Sequence, residues 1–483
     1  MLRNKSTKVF SETNSFFTST EKGIFRIMEL YKGLKLDKLE MIGEKEPTQS
    51  FYVKGDLFLG LLLFPLYSIS NVHSYTKHSL RSTLEACKNT FYRFKNNNNV
   101  DWRTIIQKCN RTLFSRLNKE TKEDTVNVRC LIIDDTDFEK STYKTEHVGR
   151  IWSHVKQSWH FGYKGLFLGY WDGKSFFSLD FSLHKEKGKN KKKPFGLSPK
   201  QKNKQYSKPR RKGTPGNIRE KELLDDKIST AISMIKRAVK QKIKVDYLLM
   251  DSWFFCEAFL KLRSLLKTNV DIVGMVKMAK AKYAFQSKEY TAKELAQLMK
   301  QRKKVKWIKT LNLYCAEMEV EYKTFPLKLY FCKTSKHGKW HLLASTNTKL
   351  GILRAYEIYS IRWSIEVFFK ESKQYFGLGK SQSQDFDAQV ADVSIAVVAY
   401  NVFSLAKRFD AYESIGGLFE KVQDQATELT ISLRIWGFIL ELLQIIAEFI
   451  DGDFNELIIN IMKNKPEDNK IFRLIELQLS KAA

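Results

Sequence analysis

Four acidic residues in this sequence stand where they could form a reactive centre. Asp134 and Asp135 close the run VRCLIIDD (128–135), and Asp251 closes YLLMD (247–251). Glu366 lies in YSIRWSIEVFFKESK (359–373), among Arg362, Lys370 and Lys373. Carboxylates brought to one point repel one another unless cations neutralise them. Oxygen-only ligands with open positions suit Mg²⁺ or Mn²⁺. Two such ions can clamp the attacking and leaving oxygens of a phosphodiester exchange. Each acid also has a plain structural reading. Asp134-Asp135 could be a turn after a strand, Asp251 a helix N-cap, and Glu366 an exposed partner of Arg362 four residues away.

The elements that must position these groups can be read in outline. With 359–373 taken as one helix, at about 100° per residue, Tyr359, Arg362, Glu366 and Lys373 fall within roughly a 60° arc. Ile358, Ile361, Ile365, Phe368 and Phe369 form the adjoining apolar arc, and Glu371 points away from the polar stripe. The runs before Asp134 and Asp251 read as buried strands ending in acids. GLFLGYW (165–171) and SFFSLDFSL (175–183), separated by Asp172-Gly173, read as a hairpin, and VDIVGMVK (270–277) as a further strand. Neighbouring strands of one sheet can bring distant acids together.

Around this centre the chain divides by pattern. Residues 1–125 read as helical and DNA-binding; within them LEACKNTFYRFKNNNNVDWR (84–103) could be part of a helix-turn-helix or a plain helical bundle. Residues 126–277 form the first part of a catalytic core. They include a Lys, Arg, Pro and Gly-rich stretch, 184–221, expected to be a mobile loop gripping phosphates by charge, Arg210 and Arg211 among its cations. Residues 278–345 read as a β-rich insertion, 346–410 as the second part of the core, and 411–483 as a C-terminal helical region suited to dimerisation.

Lys and Arg number 83 against 53 Asp and Glu, a formal charge of +30. Such a surplus implies a polyanionic partner, nucleic acid before acidic membrane. Lys-rich coding in an AT-rich genome accounts for only part of it. At 43% hydrophobic the chain can bury a substantial core. Six scattered cysteines with no CxxC spacing read as buried free thiols of a reducing cytosol, and the histidines show no HxxxH or HExxH pattern. LFLGLLLFPLYS (57–68) is too short to span a bilayer, and MLRNKSTKVFSETNSFF (1–17), lacking an apolar core segment, is not expected to act as a signal peptide. A cytoplasmic protein without a membrane partner is expected.

Tyr359, Arg362, Glu366 and Lys373 match the YREK motif, so the sequence resembles DDE transposases of the insertion-sequence-four family. LIIDDTDFEK looks like that family's first-Asp segment, which reads Asp-x-Thr, and YLLMDSWF like its second. The resemblance runs from about 128 to 380. It implies an α/β, ribonuclease H-like mixed sheet flanked by helices and interrupted by a β-rich insertion, with helical regions at both termini. It implies Asp134, Asp251 and Glu366 as metal ligands, with Mg²⁺ or Mn²⁺ as two ions, and Tyr359, Arg362 and Lys373 on phosphates. Lys370, Arg210 and Arg211 are expected at the same DNA. The activity implied is hydrolysis at transposon ends followed by attack of the freed 3′-OH on target DNA. The partners would be double-stranded DNA and a second copy in the DNA complex, in a bacterial, nucleoid-associated setting. Some relatives stack a flipped base on a Trp of the insertion; Trp307 and Trp340 stand in that segment, with core burial the expected state of each. Two other readings remain open: a structure-specific nuclease or resolvase of the same fold, and a non-catalytic, domesticated DNA-binding protein.

Overall fold

The structure, a computed structural model, describes residues 22–36, 54–78, 86–120, 128–188, 190–265, 270–409 and 414–427, with Leu442 and Ile445. The chain forms two compact units, one of 1–100, 375–377 and 402–483, the other of 101–374 and 378–401. The first contains helices α1 (Lys22–Gly33), α2 (Lys54–Leu63), α3 (Val72–Tyr75) and α4 (Lys88–Lys95). α4 ends at Asn96, and Tyr92 on it is exposed. Most of the expected C-terminal helical region lies outside the described residues.

The second unit opens with α5 (Trp102–Glu120), followed by β1 (Cys130–Lys140), β2 (Gly149–Ser153), β3 (Ser158–Trp171) and β4 (Phe176–His184). Helices α6 (Pro199–Asn203), α7 (Pro215–Leu224) and α8 (Lys227–Lys240) lead to β5 (Tyr247–Met250). Next come α9 (Glu257–Leu265), β6 (Asp271–Val276), β7 (Lys282–Phe285), β8 (Lys288–Thr291) and α10 (Ala292–Gln301). β9 (Lys306–Ile308), β10 (Leu313–Tyr322), β11 (Phe325–Lys333) and β12 (His341–Ser345) follow. Helices α11 (Ile352–Ser360), α12 (Trp363–Tyr375) and α13 (Phe386–Phe409) follow.

β4, β3 and β1 are antiparallel, and β5 and β6 run parallel to β1. That order is the ribonuclease H-like mixed sheet expected of the sequence. Parallel strands need both faces covered, and Cys130–Ile133 and Leu248–Met250 are fully apolar and buried. The turn between β3 and β4 is held by Asp172, whose Oδ1 accepts from the amides of Lys174 and Ser175.

The strands of the β-rich segment continue the core sheet, because β12 pairs antiparallel with β6 and carries the ladder on to β11, β10, β7 and β8. Two expectations change. The stretch 184–221 is not a bare loop, because α6 and most of α7 lie within it. α6 starts from a capping box between Ser198 and Gln201, and α7 from Thr214 with Pro215 in its first turn. The helix across 359–373 is two helices. Between α11 and α12 the amides of Ile361, Arg362, Ser364 and Ile365 bond three residues back, a tightened 3₁₀-type turn.

Cys109, Cys130, Cys315 and Cys332 are buried free thiols, whereas Cys87 is exposed. Among the described residues, one helix, Phe386–Arg408, is long and apolar enough to cross a membrane, and 89% of its apolar window is buried inside the fold.

Candidate active site

The parallel register of β1 and β5 ends at Ile133 opposite Met250. Asp134 and Asp251 come next in the two chains, so the acids lie side by side where the parallel pairing stops, at the carboxyl end of β5, while β1 runs on against β3 to Lys140; open α/β sheets bind ligands at the carboxyl ends of their strands. Asp251 Oδ1 accepts from the amides of Trp253 and Phe254, at 2.9 and 3.2 Å. This fixes the acid at the start of the turn that leads to α9.

Side chains alternate across β1. Asp134, Thr136 and Phe138 share the face covered by α12. Phe368 and Phe369 of that helix pack on Phe167, the cross-strand neighbour of Asp134. The apolar arc read from the sequence is buried at Ile358, Ile365, Phe368 and Phe369. It turns the polar stripe towards β1. Arg362 Nη1 donates to Asp134 Oδ2 at 2.7 Å, and its Nη2 to Glu366 Oε1 at 2.6 Å. Lys373 Nζ donates to Thr136 Oγ1 at 2.7 Å and to the Asp137 carbonyl at 3.0 Å. Tyr359 lies under the guanidinium, 5.7 Å from ring centre to Cζ. Lys370 is exposed.

Burial, with the charge of Asp251 nearby, pushes the carboxyl of Asp134 up to about 7, although Arg362 opposes the shift. Burial raises the Tyr359 hydroxyl to about 12 and lowers Lys373. The donor set of Asp134, Asp251 and Glu366 is hard carboxylate oxygen, which suits Mg²⁺ or Mn²⁺. In chemistry the residues therefore fit such an ion. Their spacing differs: among the described residues, no three His, Cys, Asp or Glu side chains are grouped closely enough to hold a metal. The guanidinium of Arg362 holds the position between Asp134 and Glu366.

Asp135 and Asp137 face the other side of the sheet. Asp135 Oδ2 accepts from Lys227 Nζ at 2.6 Å, and that ammonium sits 4.3 Å from the centre of the Trp253 ring. A lysine in the first turn of a helix opposes the helix dipole; the carboxylate and the indole compensate it. Lys227 and Trp253 were not singled out from the sequence. Trp253, 43% exposed and two residues after Asp251, carried the readable signal, an aromatic exposed beside an acid. Trp307 is 46% exposed and packs on Tyr314, so it is not the core residue expected. Trp340 is half-buried under Lys333.

Arg210 requires a correction. Its side chain has no exposed surface and donates to both oxygens of Glu146, at 2.8 and 2.7 Å, and to Asp387 at 3.1 Å. Lys208 bridges Asp385 and Asp387, each at 2.7 Å. Burial alone would raise Glu146, but Arg210 holds it below the ordinary carboxylate range. Arg210 therefore ties the basic segment to the strand connection at 146 and to the start of α13, and presents nothing to a DNA backbone. Arg211, next to it, is exposed. The acids that claim Arg210 lie 64 and 177 residues away in sequence, beyond any local pattern.

Residues 185–402 match a protein-family model described as the transposase DDE domain. The match takes in Asp251, Tyr359, Arg362, Glu366 and Lys373, begins after Asp134, and covers less than half of the chain. This segment is thus similar to transposase DDE domains. No curated protein matches the sequence. A solved structure, a cryo-EM synaptic complex of piggyBac transposase with hairpin DNA, is similar over 90% of this chain and 82% of its own. Sequence identity is 11% and the TM-score 0.42, too distant to carry an argument.

Proposed function

We propose that the protein is a DDE transposase, of the kind that carries the YREK motif. The observation that supports this reading is that acids from three separate elements converge on one region of the sheet, two of them bridged by Arg362. Asp134 and Asp251 follow the last paired residues of β1 and β5, which run parallel side by side, and Glu366 comes in on α12, linked to Asp134 through one guanidinium. The similarity of 185–402 to transposase DDE domains supports it independently. Mg²⁺ or Mn²⁺ held by Asp134, Asp251 and Glu366 would supply Lewis-acid stabilisation to phosphodiester exchange. In the first reaction water adds to a phosphorus at the transposon end and the bond to the 3′ oxygen breaks, leaving a 3′-OH on the transposon and a 5′-phosphate on the flank. In the second that 3′-OH attacks a phosphorus of target DNA, a new 3′-O–P bond forms, and the target's own 3′-O–P bond breaks, releasing a target 3′-OH. Tyr359, Arg362, Lys370, Lys373 and Arg211 are the groups assigned to DNA phosphates, with two copies of the chain holding two ends. The region 1–125 is assigned to reading the ends.

The test uses the full chain, Mg²⁺, and a plasmid bearing the inverted repeats that flank the gene. Cleavage at the repeats with joining of their 3′ ends to target is the expected result. Cutting without joining moves the protein to the nucleases of this fold. Glu366→Gln should abolish cleavage and leave end binding largely intact; normal cleavage by that variant removes Glu366 from the centre.

A further inference from the structure

We propose that Arg362 is a built-in counter-ion of the acidic centre, released by the DNA backbone, so that metal binding and DNA binding are coupled through this one side chain. The proposal rests on the metal-site reading above. Its starting point is the way Arg362 divides its guanidinium between the acids. The two ends of the guanidinium donate to two different carboxylates, Asp134 at 2.7 Å and Glu366 at 2.6 Å, both charge-assisted lengths. All three side chains are shielded: Arg362 is 14% exposed, Asp134 15% and Glu366 35%.

A divalent ion bound by Asp134 and Glu366 would need the oxygens that Arg362 now occupies. Without DNA, its entry strands a half-buried guanidinium with no anion, which is costly. A DNA phosphate changes that balance. The guanidinium fork fits a phosphate as well as a carboxylate, so Arg362 can exchange its acids for the backbone. The vacated oxygens are then open to the ion. The other cation of the polar stripe does not do this. Lys373 is satisfied by a hydroxyl and a carbonyl and leaves the carboxylates untouched. Linkage makes the effect reciprocal: whatever factor DNA adds to metal affinity, metal adds to DNA affinity, and such factors are typically about 5–150-fold. The consequence is an enzyme whose centre is assembled only on DNA.

The readout is Mn²⁺ binding, followed by electron paramagnetic resonance, with and without a short duplex bearing the flanking inverted repeat and already ending in a 3′-OH. For the wild type, the duplex should tighten Mn²⁺ binding at least about fivefold. Arg362→Gln, which keeps the volume and removes the charge, should bind Mn²⁺ tighter than wild type without DNA and respond little to the duplex. Arg362→Lys, which keeps the charge but cannot span both acids, should fall between them. A thermal melt confirms that each variant is folded. If Arg362→Gln without DNA binds Mn²⁺ no tighter than wild type, the counter-ion role is wrong. If no form binds Mn²⁺ at a site lost in Asp251→Asn, the metal-site reading fails and takes this proposal with it.

Discussion

Asp134 and Asp135 are adjacent in the chain and face opposite sides of the sheet. In the sequence each has an isoleucine as the preceding residue on its own strand face, Ile132 for Asp134 and Ile133 for Asp135, so burial could not choose between them as the first acid of the centre; the Asp-x-Thr spacing before Thr136 pointed to Asp134. Their partners now separate them. Asp134 faces Arg362 and Glu366 and shares its face with Thr136, which Lys373 engages. Asp135 is committed to Lys227 on α8, beneath Trp253. Asp134→Asn is therefore expected to eliminate cleavage in both Mg²⁺ and Mn²⁺. Asp135→Asn should retain activity in Mn²⁺ and lower stability by about 1–3 kcal/mol, because it leaves the ammonium of Lys227 without its anion. Cleavage rates and melting curves on the two variants check both halves, and the reverse ranking of rates would move the first acid to Asp135.

At the scale of elements, the strands that carry the site were legible because their apolar runs are long, uninterrupted and closed by acids. The α11–α12 break was not, because a 3₁₀-type turn keeps the polar stripe of Tyr359, Arg362, Glu366 and Lys373 close to its continuous-helix arrangement. The basic segment was misread for a different reason. Counting charge treats every Arg as a free cation, whereas Arg210 and Arg211 differ completely in surroundings. Arg210→Met should destabilise the protein by roughly 3–5 kcal/mol, since Glu146 would lose its guanidinium partner while buried, and Asp387 would keep only Lys208. The folded fraction should keep the wild-type salt dependence of DNA binding. Arg211→Ala should change stability by no more than about 0.5 kcal/mol and flatten the plot of log affinity against log salt by about one phosphate's worth. Denaturant titration with salt-series binding measures both, and a stable Arg210→Met with a flattened slope would return Arg210 to the DNA.

For the molecule as a whole, the formal charge of +30 announced a polyanionic partner, but a sum over the chain says nothing of where the charge is presented. Nor could it show that the strands of 278–345 continue the core sheet, since that depends on the pairing of β12 with β6. The structure makes one part of the presentation explicit. No Asp or Glu occurs between Lys187 and Arg219. Within that span Lys191, Lys192, Lys193, Lys200, Lys202 and Lys204 are exposed on a segment shaped by α6 and fastened through Arg210. Cations held on an ordered surface release counterions from DNA without first paying to immobilise a loop, and their contribution carries no sequence information. Replacing Lys191, Lys192, Lys200 and Lys202 together with Gln should lower the slope of log affinity against log salt. The decrease should be about 0.9 for each DNA phosphate that is no longer neutralised, up to roughly four phosphates. The weakening should be equal on transposon-end and random duplexes of one length. Weakening confined to the transposon end would mean that this face reads sequence, and an unchanged slope on both would mean that DNA binds elsewhere on the protein.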